Sequence, residues 1–272
     1  MSTDGPLTDG PLTDDAAEAW KRQDRQYHEQ KAIAGTYDRR VSRFYELDHR
    51  RYTLDPWSEK LRAAGARRVL DFGCGTGEAT MRYLSYGFEM IAFDASVAMV
   101  AQLRAKARKA GLKVQCLVAD GDHLPFRDGA VDAIICTGVL HHMPKVGSAV
   151  ASQTRALGQG GLLFCSEPYD HRPWFSQPGH LLFGLVKGLR DLLRGLPPGP
   201  RERPLNRDDV AAARDALEAA GFEARIDTFS YWPYFCGFLP EGIAWPLMKF
   251  LDRLKSTQRG DAVRIEARER PR

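Results

Sequence analysis

The sequence predicts an α/β fold, a doubly wound and mostly parallel sheet. Three observations carry this. Short apolar runs of strand length alternate with helix-length segments between residues 67 and about 168, and that alternation implies crossover units and parallel strands. A glycine-rich turn, Asp71-Phe72-Gly73-Cys74-Gly75-Thr76-Gly77-Glu78, follows the first apolar run directly. Acids stand at the ends of the successive runs: Asp71, Asp94 and Asp120.

The elements follow in order. Residues 1–14 repeat Thr-Asp-Gly-Pro-Leu and are expected to be disordered, because Gly-Pro pairs break helices and strands. Residues 15–64 have helical composition and should form an N-terminal cap. The main domain is expected over 65–272. Arg67–Phe72 reads as a buried strand and Thr76–Leu84 as its helix. Glu89–Phe93 is a second strand, and Ser96–Ala110 a helix with Lys and Arg on its outer face. Lys113–Val118 and Val131–Thr137 are strands three and four, Gly147–Ala156 a helix, and Gly161–Ser166 strand five. After an insertion at about 168–206, Asn206-Arg207-Asp208-Asp209 starts a helix with acids in its first turn, as the helix dipole favours. That helix ends at Gly221, a left-handed stop. Glu223–Ser230 is strand six, a second insertion spans about 231–258, and Asp261–Ala267 alternates as a last strand.

Composition narrows the class. The chain has 272 residues, 43% hydrophobic and 27% charged, which excludes a fibrous or disordered protein. The longest uncharged stretches, Pro173–Val186 and Thr228–Pro240, fall short of the roughly 20 residues of a spanning helix. A net charge of +4 is too small to announce nucleic-acid binding. It is the remainder of an acidic leader (Asp4, Asp9, Asp14, Asp15, Glu18) and a tail rich in Arg and Lys. Five widely spaced cysteines, Cys74, Cys116, Cys136, Cys165 and Cys236, give no disulfide framework and no metal pair. With an acidic N-terminus and no apolar h-region, a cytoplasmic protein without a bound metal is expected.

The glycine turn needs a ligand, and two compete. A dinucleotide fingerprint wants glycine or alanine at its last place. Here Glu78 stands there, and Asp71 precedes the first glycine. Both would repel a pyrophosphate, which weakens a nicotinamide oxidoreductase. A cationic ligand reverses the argument. Asp94 can accept two ribose hydroxyls, and Asp120 an adenine amine, with the Gly121 N–H beside it.

Val69–Glu78, Phe93-Asp94-Ala95-Ser96, Asp120–Phe126, Val131–His142 and Gly160–Pro168 together resemble the motifs of class I S-adenosylmethionine-dependent methyltransferases. The branch is that of the ubiquinone/menaquinone-type small-molecule enzymes. The resemblance implies a Rossmann-like seven-stranded sheet with an antiparallel last strand, and S-adenosylmethionine as cofactor. Gly73, Gly75 and Gly77, with Asp71 and Cys74, would cradle its methionine part. Asp94 and Ala95 would hold the ribose. Met99 would pack near the adenine, Asp120 and Gly121 would bind it, and Cys136 would line the site. Ala34-Gly35-Thr36-Tyr37-Asp38 resembles the family's N-terminal segment, so Tyr37 would cover the methionine end.

Methyl transfer to a hydroxyl or an acidic carbon also needs a proton acceptor. His141 and His142, after strand four, suit that work near neutral pH. The resemblance favours His141, whose place tends to face the substrate; Glu167, Tyr169 and His171 are alternatives on the same edge. Both insertions leave from the carboxyl edge of the sheet, where ligands bind. His180–Leu196 is amphipathic with a basic polar face, which fits a cap helix or a peripheral membrane contact. The second insertion is dense in aromatics, from Phe229 and Tyr231 to Trp245 and Phe250. The expected activity is methyl transfer to a small, largely hydrophobic acceptor, at oxygen first and carbon second. A silent protein that keeps the fold is the remaining alternative.

Overall fold

A computed structural model of the chain describes residues 13–35, 53–169, 203–229 and 262–270, with helical positions 242–243, 246–247 and 250. The helices are α1 (Asp14–Ile33), α2 (Asp55–Ala63), α3 (Glu78–Ser85), α4 (Val97–Lys109), α5 (Val146–Ala156) and α6 (Arg207–Ala219). The strands are β1 (Arg68–Phe72), β2 (Glu89–Asp94), β3 (Gln115–Val118), β4 (Val131–Thr137), β5 (Leu157–Pro168), β6 (Phe222–Phe229) and β7 (Ala262–Glu269). They form one sheet in the order β3-β2-β1-β4-β5-β7-β6. The pairs β1–β2, β2–β3, β1–β4 and β4–β5 are parallel, and β7 runs antiparallel to both neighbours. This is the doubly wound sheet with a reversed last strand that the sequence implied.

Alternation along each strand builds two cores. Leu70, Phe72, Ile134, Cys136, Leu163 and Cys165 face one side, with α5, α6 and a short 3₁₀ turn at Leu140–His142. Val69, Ala133, Ile135, Leu162 and Phe164 face the other, with Trp57, Leu61, Ala79 and Tyr83. Trp57 is fully buried and stacks on Phe164 with ring centroids 5.3 Å apart. A stacked aromatic pair of this kind contributes about 0.5–1.5 kcal/mol beyond its buried area.

Helix ends follow the sequence signals. Asn206 and Asp209 form a reciprocal capping box at α6, and Gly221 takes a positive φ of 83° after it. Thr13 caps α1, so positions 13 and 14 belong to the helix and not to the expected leader. Strand β5 starts at Leu157, earlier than the expected Gly161, because Leu157 already pairs with Val131; the register then shifts, and pairing resumes between Ala133 and Leu162. Among the described residues, no helix is long and apolar enough to cross a membrane. Tyr37, His171, Cys236, the amphipathic segment 180–196 and most of both insertions lie outside the described residues.

Candidate active site

The carboxyl ends of β1, β2 and β4, the residues after β3 and one face of α1 enclose a cleft of about 160 Å³. Its floor is the glycine turn. Cys74 N donates to Phe93 O at 2.8 Å and Gly75 N to Asp94 Oδ2 at 2.9 Å, so the turn is tied to the end of β2. Gly73 has φ 72°, and a Cβ there would stand 2.6 Å from the Val139 methyls. Gly77 caps α3 in the left-handed region, and its Cβ would collide with Leu103.

The acids divide into two layers. Asp94 and Asp120 line the cleft. Asp94 also accepts from Ser96 N at 2.9 Å, and burial raises its pKa despite these donors. Asp71 is buried behind the turn and accepts from the Thr80 hydroxyl. Burial, with help from the Asp94 charge, pushes its carboxyl up to about 7. Burial also acts upward on Asp120, but the Asp122 N–H and Lys21 outweigh it and the net shift is down. Carboxylates crowded into a poorly solvated cleft favour a cation as ligand.

Several expected residues are where the sequence put them. Gly73, Cys74, Gly75, Asp94, Ala95, Met99, Asp120, Gly121 and His142 line the cleft. A Cβ at Gly121 would meet Phe72 at 2.9 Å and Met143 at 3.1 Å, so a larger residue would force those side chains to shift. Others sit one layer back. Asp71, Gly77, Cys136 and His141 do not line the cleft. Cys136 faces the core between Cys165 and Glu167, because alternation along β4 turns it away from the ligand edge. Tyr169 bridges to Leu205 and packs on the core. Glu78 lines the cleft and pairs with Lys106 at 2.8 Å.

The histidine turn is held by two carboxylates. Glu167 is fully buried. Its Oε1 accepts from Val139 N at 2.9 Å and Leu140 N at 3.0 Å, and its Oε2 lies 2.8 Å from His141 Nδ1. Glu167 thus braces the turn. His142 Nδ1 lies 3.2 Å from Asp24 Oδ1 of α1.

Helix α1 is the part of the site that sequence reasoning missed. Lys21, Asp24, Arg25 and His28, at i, i+3, i+4 and i+7, line the cleft from one helical face. Lys21 Nζ contacts Asp122 at 2.7 Å and Asp120 at 3.1 Å. Glu29 accepts from the Ser96 hydroxyl and from Ala98 N at 3.1 Å. The one trace in the sequence is the polar i, i+3, i+4, i+7 stripe, which a solvated face shows equally.

A family model described as a methyltransferase domain matches residues 70–165. The demethylmenaquinone methyltransferase of Thermus thermophilus is 30% identical over 213 residues, 73% of this chain and 93% of that protein. The ubiquinone biosynthesis O-methyltransferase of Xanthomonas oryzae pv. oryzae is 32% identical over 114 residues, 42% of this chain and 47% of that one. The crystal structure of the magnesium protoporphyrin IX methyltransferase of Synechocystis PCC 6803 with bound SAH shares the fold. Its TM-score is 0.51 at 18% identity, over 97% of this chain and 90% of that one. The chain belongs to the class I S-adenosylmethionine-dependent methyltransferases. Its cofactor is S-adenosylmethionine, and the acid-lined, glycine-floored cleft fits that cation.

Proposed function

We propose that this methyltransferase acts on a small, largely apolar acceptor, at a hydroxyl oxygen first and at an acidic carbon second, in quinone, lipid or secondary metabolism. The observation that carries the reading is the braced histidine turn beside the cofactor cleft. Two relatives support it by name, one a demethylmenaquinone methyltransferase and one an O-methyltransferase of ubiquinone biosynthesis.

The cofactor, when bound, supplies an electrophilic methyl group on a cationic sulfur. The chain's own residues do the rest. Gly73, Gly75 and Cys74 present the turn against it, Asp94 offers carboxylate oxygens to ribose hydroxyls, and Asp120 offers one to the adenine amine. His142 takes the acceptor's proton, and Glu167 holds the turn that carries it. Fixing the acceptor and the methyl group in line can supply about 7–11 kcal/mol. A placed base adds about 10²–10⁴-fold.

The test is release of S-adenosylhomocysteine with a panel of hydroquinones, phenols and isoprenoid alcohols, using a ¹³C-labelled methyl group to locate the new bond. An O–CH₃ product with His142→Ala slower by about 10²-fold is expected. Full turnover in that variant, or methyl transfer confined to nitrogen, would remove the reading.

A further inference from the structure

We propose that Asp24 is the positioning residue of His142, so that the proton acceptor is a carboxylate–imidazole pair assembled from two segments far apart in sequence. This rests on the reading of His142 given above. Asp24 comes from the middle of α1 and His142 from the turn after β4, and they meet at 3.2 Å on the wall of the cleft. His28, one turn along α1, approaches the same Asp24 oxygen at 3.5 Å and packs edge-on against His142, with centroids 4.9 Å apart.

The arrangement fixes a tautomer. Asp24 is a carboxylate with two imidazoles around it; burial disfavours its charge, but the hydrogen bonds to His142 and His28 outweigh that and hold its carboxyl far below the usual range. An ionised carboxylate only accepts hydrogen bonds. The imidazole nitrogen facing it must carry the hydrogen, and Nε2 becomes the nitrogen that takes a proton. The same anion stabilises the imidazolium once formed, as the third member of a hydrolase triad does. Among the described residues, the titratable and charged groups around His142 include His28 from α1, Asp94 from the end of β2 and His141 on its own turn, with Lys21 and Arg25 of α1 lining the same cleft. Burial pushes the His28 pKa down; the hydrogen bond to Asp24 and its charge act upward, the charges of His142 and Lys31 act downward, and the net shift is down. His28 therefore stays neutral beside its neighbour.

The helix that positions the base also grips the cofactor walls. Lys21 holds Asp120 and Asp122, and Glu29 holds Ser96 and the start of α4. One element thus ties the adenine side, the ribose side and the proton acceptor together. A methyltransferase assembled this way has a competent base only while α1 is seated.

The test is nuclear magnetic resonance of the ¹⁵N-labelled full chain without cofactor, with His142→Gln assigning the ring signals. The expected result is an Nδ1–H tautomer for neutral His142. Its titration midpoint should fall by about one unit or more in Asp24→Asn. In turnover, Asp24→Asn should lower kcat about tenfold or more, leave KM for the acceptor nearly unchanged, and shift the acid limb of the pH profile downward. An Nε2–H tautomer in the wild type, or a midpoint unmoved by Asp24→Asn, overturns the proposal. So does stoichiometric binding of Zn²⁺ or Mn²⁺ that is lost in His28→Gln, because Asp24, His28 and His142 would then be ligands of an ion. The wild-type tautomer alone decides the matter if Asp24→Asn fails to fold. The spectra need no acceptor, so a failed acceptor panel and a failed dyad are separate results.

Discussion

Glu167→Gln puts the bracing of the histidine turn to a numerical test. The wild-type carboxylate receives two backbone N–H groups on Oε1 and faces the His141 ring on Oε2, fully removed from water. Glutamine has almost the same shape but only one acceptor oxygen. If that oxygen keeps Val139 N and Leu140 N, the amide NH₂ faces His141 Nδ1 and can be satisfied only by reversing the ring tautomer. If the amide flips, two backbone donors face a donor. Hydrogen bonds to charged groups contribute about 1.5–3 kcal/mol each, and a buried orphan costs about 1–3 kcal/mol. A loss of roughly 2–4 kcal/mol follows, out of a typical total of about 5–15. For a chain of this size that lowers Tm by roughly 5–15 °C. Thermal unfolding followed by circular dichroism measures it directly. A Tm within about 2 °C of wild type, less than about 1 kcal/mol by the same conversion, would refute the claim that Glu167 holds the turn.

Three more outcomes are expected. Asp71 carries a proton in the fold up to about pH 7, whereas the unfolded chain loses it near pH 4. Stability should therefore fall between those values by on the order of 4 kcal/mol. Asp71→Asn, which cannot titrate, should flatten much of that fall in urea midpoints taken across the window; an unchanged slope rejects the assignment. Gly77→Ala must place a methyl group against Leu103 at a positive φ, so a loss of about 1–3 kcal/mol is expected, with weaker cofactor binding by calorimetry. Asp94→Asn replaces one of the oxygens offered to the ribose by an NH₂ and should weaken S-adenosylmethionine about tenfold or more, and adenosine, which carries the same ribose, comparably. Unchanged calorimetric affinity for both would refute the ribose contact.

Much of this was legible along the chain, and the exceptions share a cause. The alternation of strands and helices, the capping box at Asn206 and the stop at Gly221 are local signals, and each appears within a few residues of its expected place. The glycine turn and the strand-end acids Asp94 and Asp120 are also local, since every parallel strand delivers its carboxyl end to one edge. The early start of β5 was hidden because Gly158-Gln159-Gly160-Gly161 reads as a turn; it forms the irregularity between the Val131–Leu157 and Ala133–Leu162 pairs, with Gly160 at a φ of 71°. Helix α1 was hidden for a different reason. Lys21, Asp24, Arg25 and His28 look like a solvated face, and their partners Asp120 and His142 lie about a hundred residues away. No pattern within the helix distinguishes a stripe that meets water from one that meets a cleft.

The position of β7 between β5 and β6 bears on how the protein is made. Among the described residues β6 pairs only with β7, yet β6 leaves the ribosome first, and residues 230–261 must follow before its partner arrives. At about 5–20 residues per second, that is a delay of a few seconds. Through it the edge of β5 from Leu162 to Pro168 stands without its later partner, an open template for a neighbouring nascent chain. The cofactor half of the sheet, β1 to β5, can close early. The strand that seals it comes last, so conditions that slow synthesis late in the chain should raise aggregation more than conditions that slow it early.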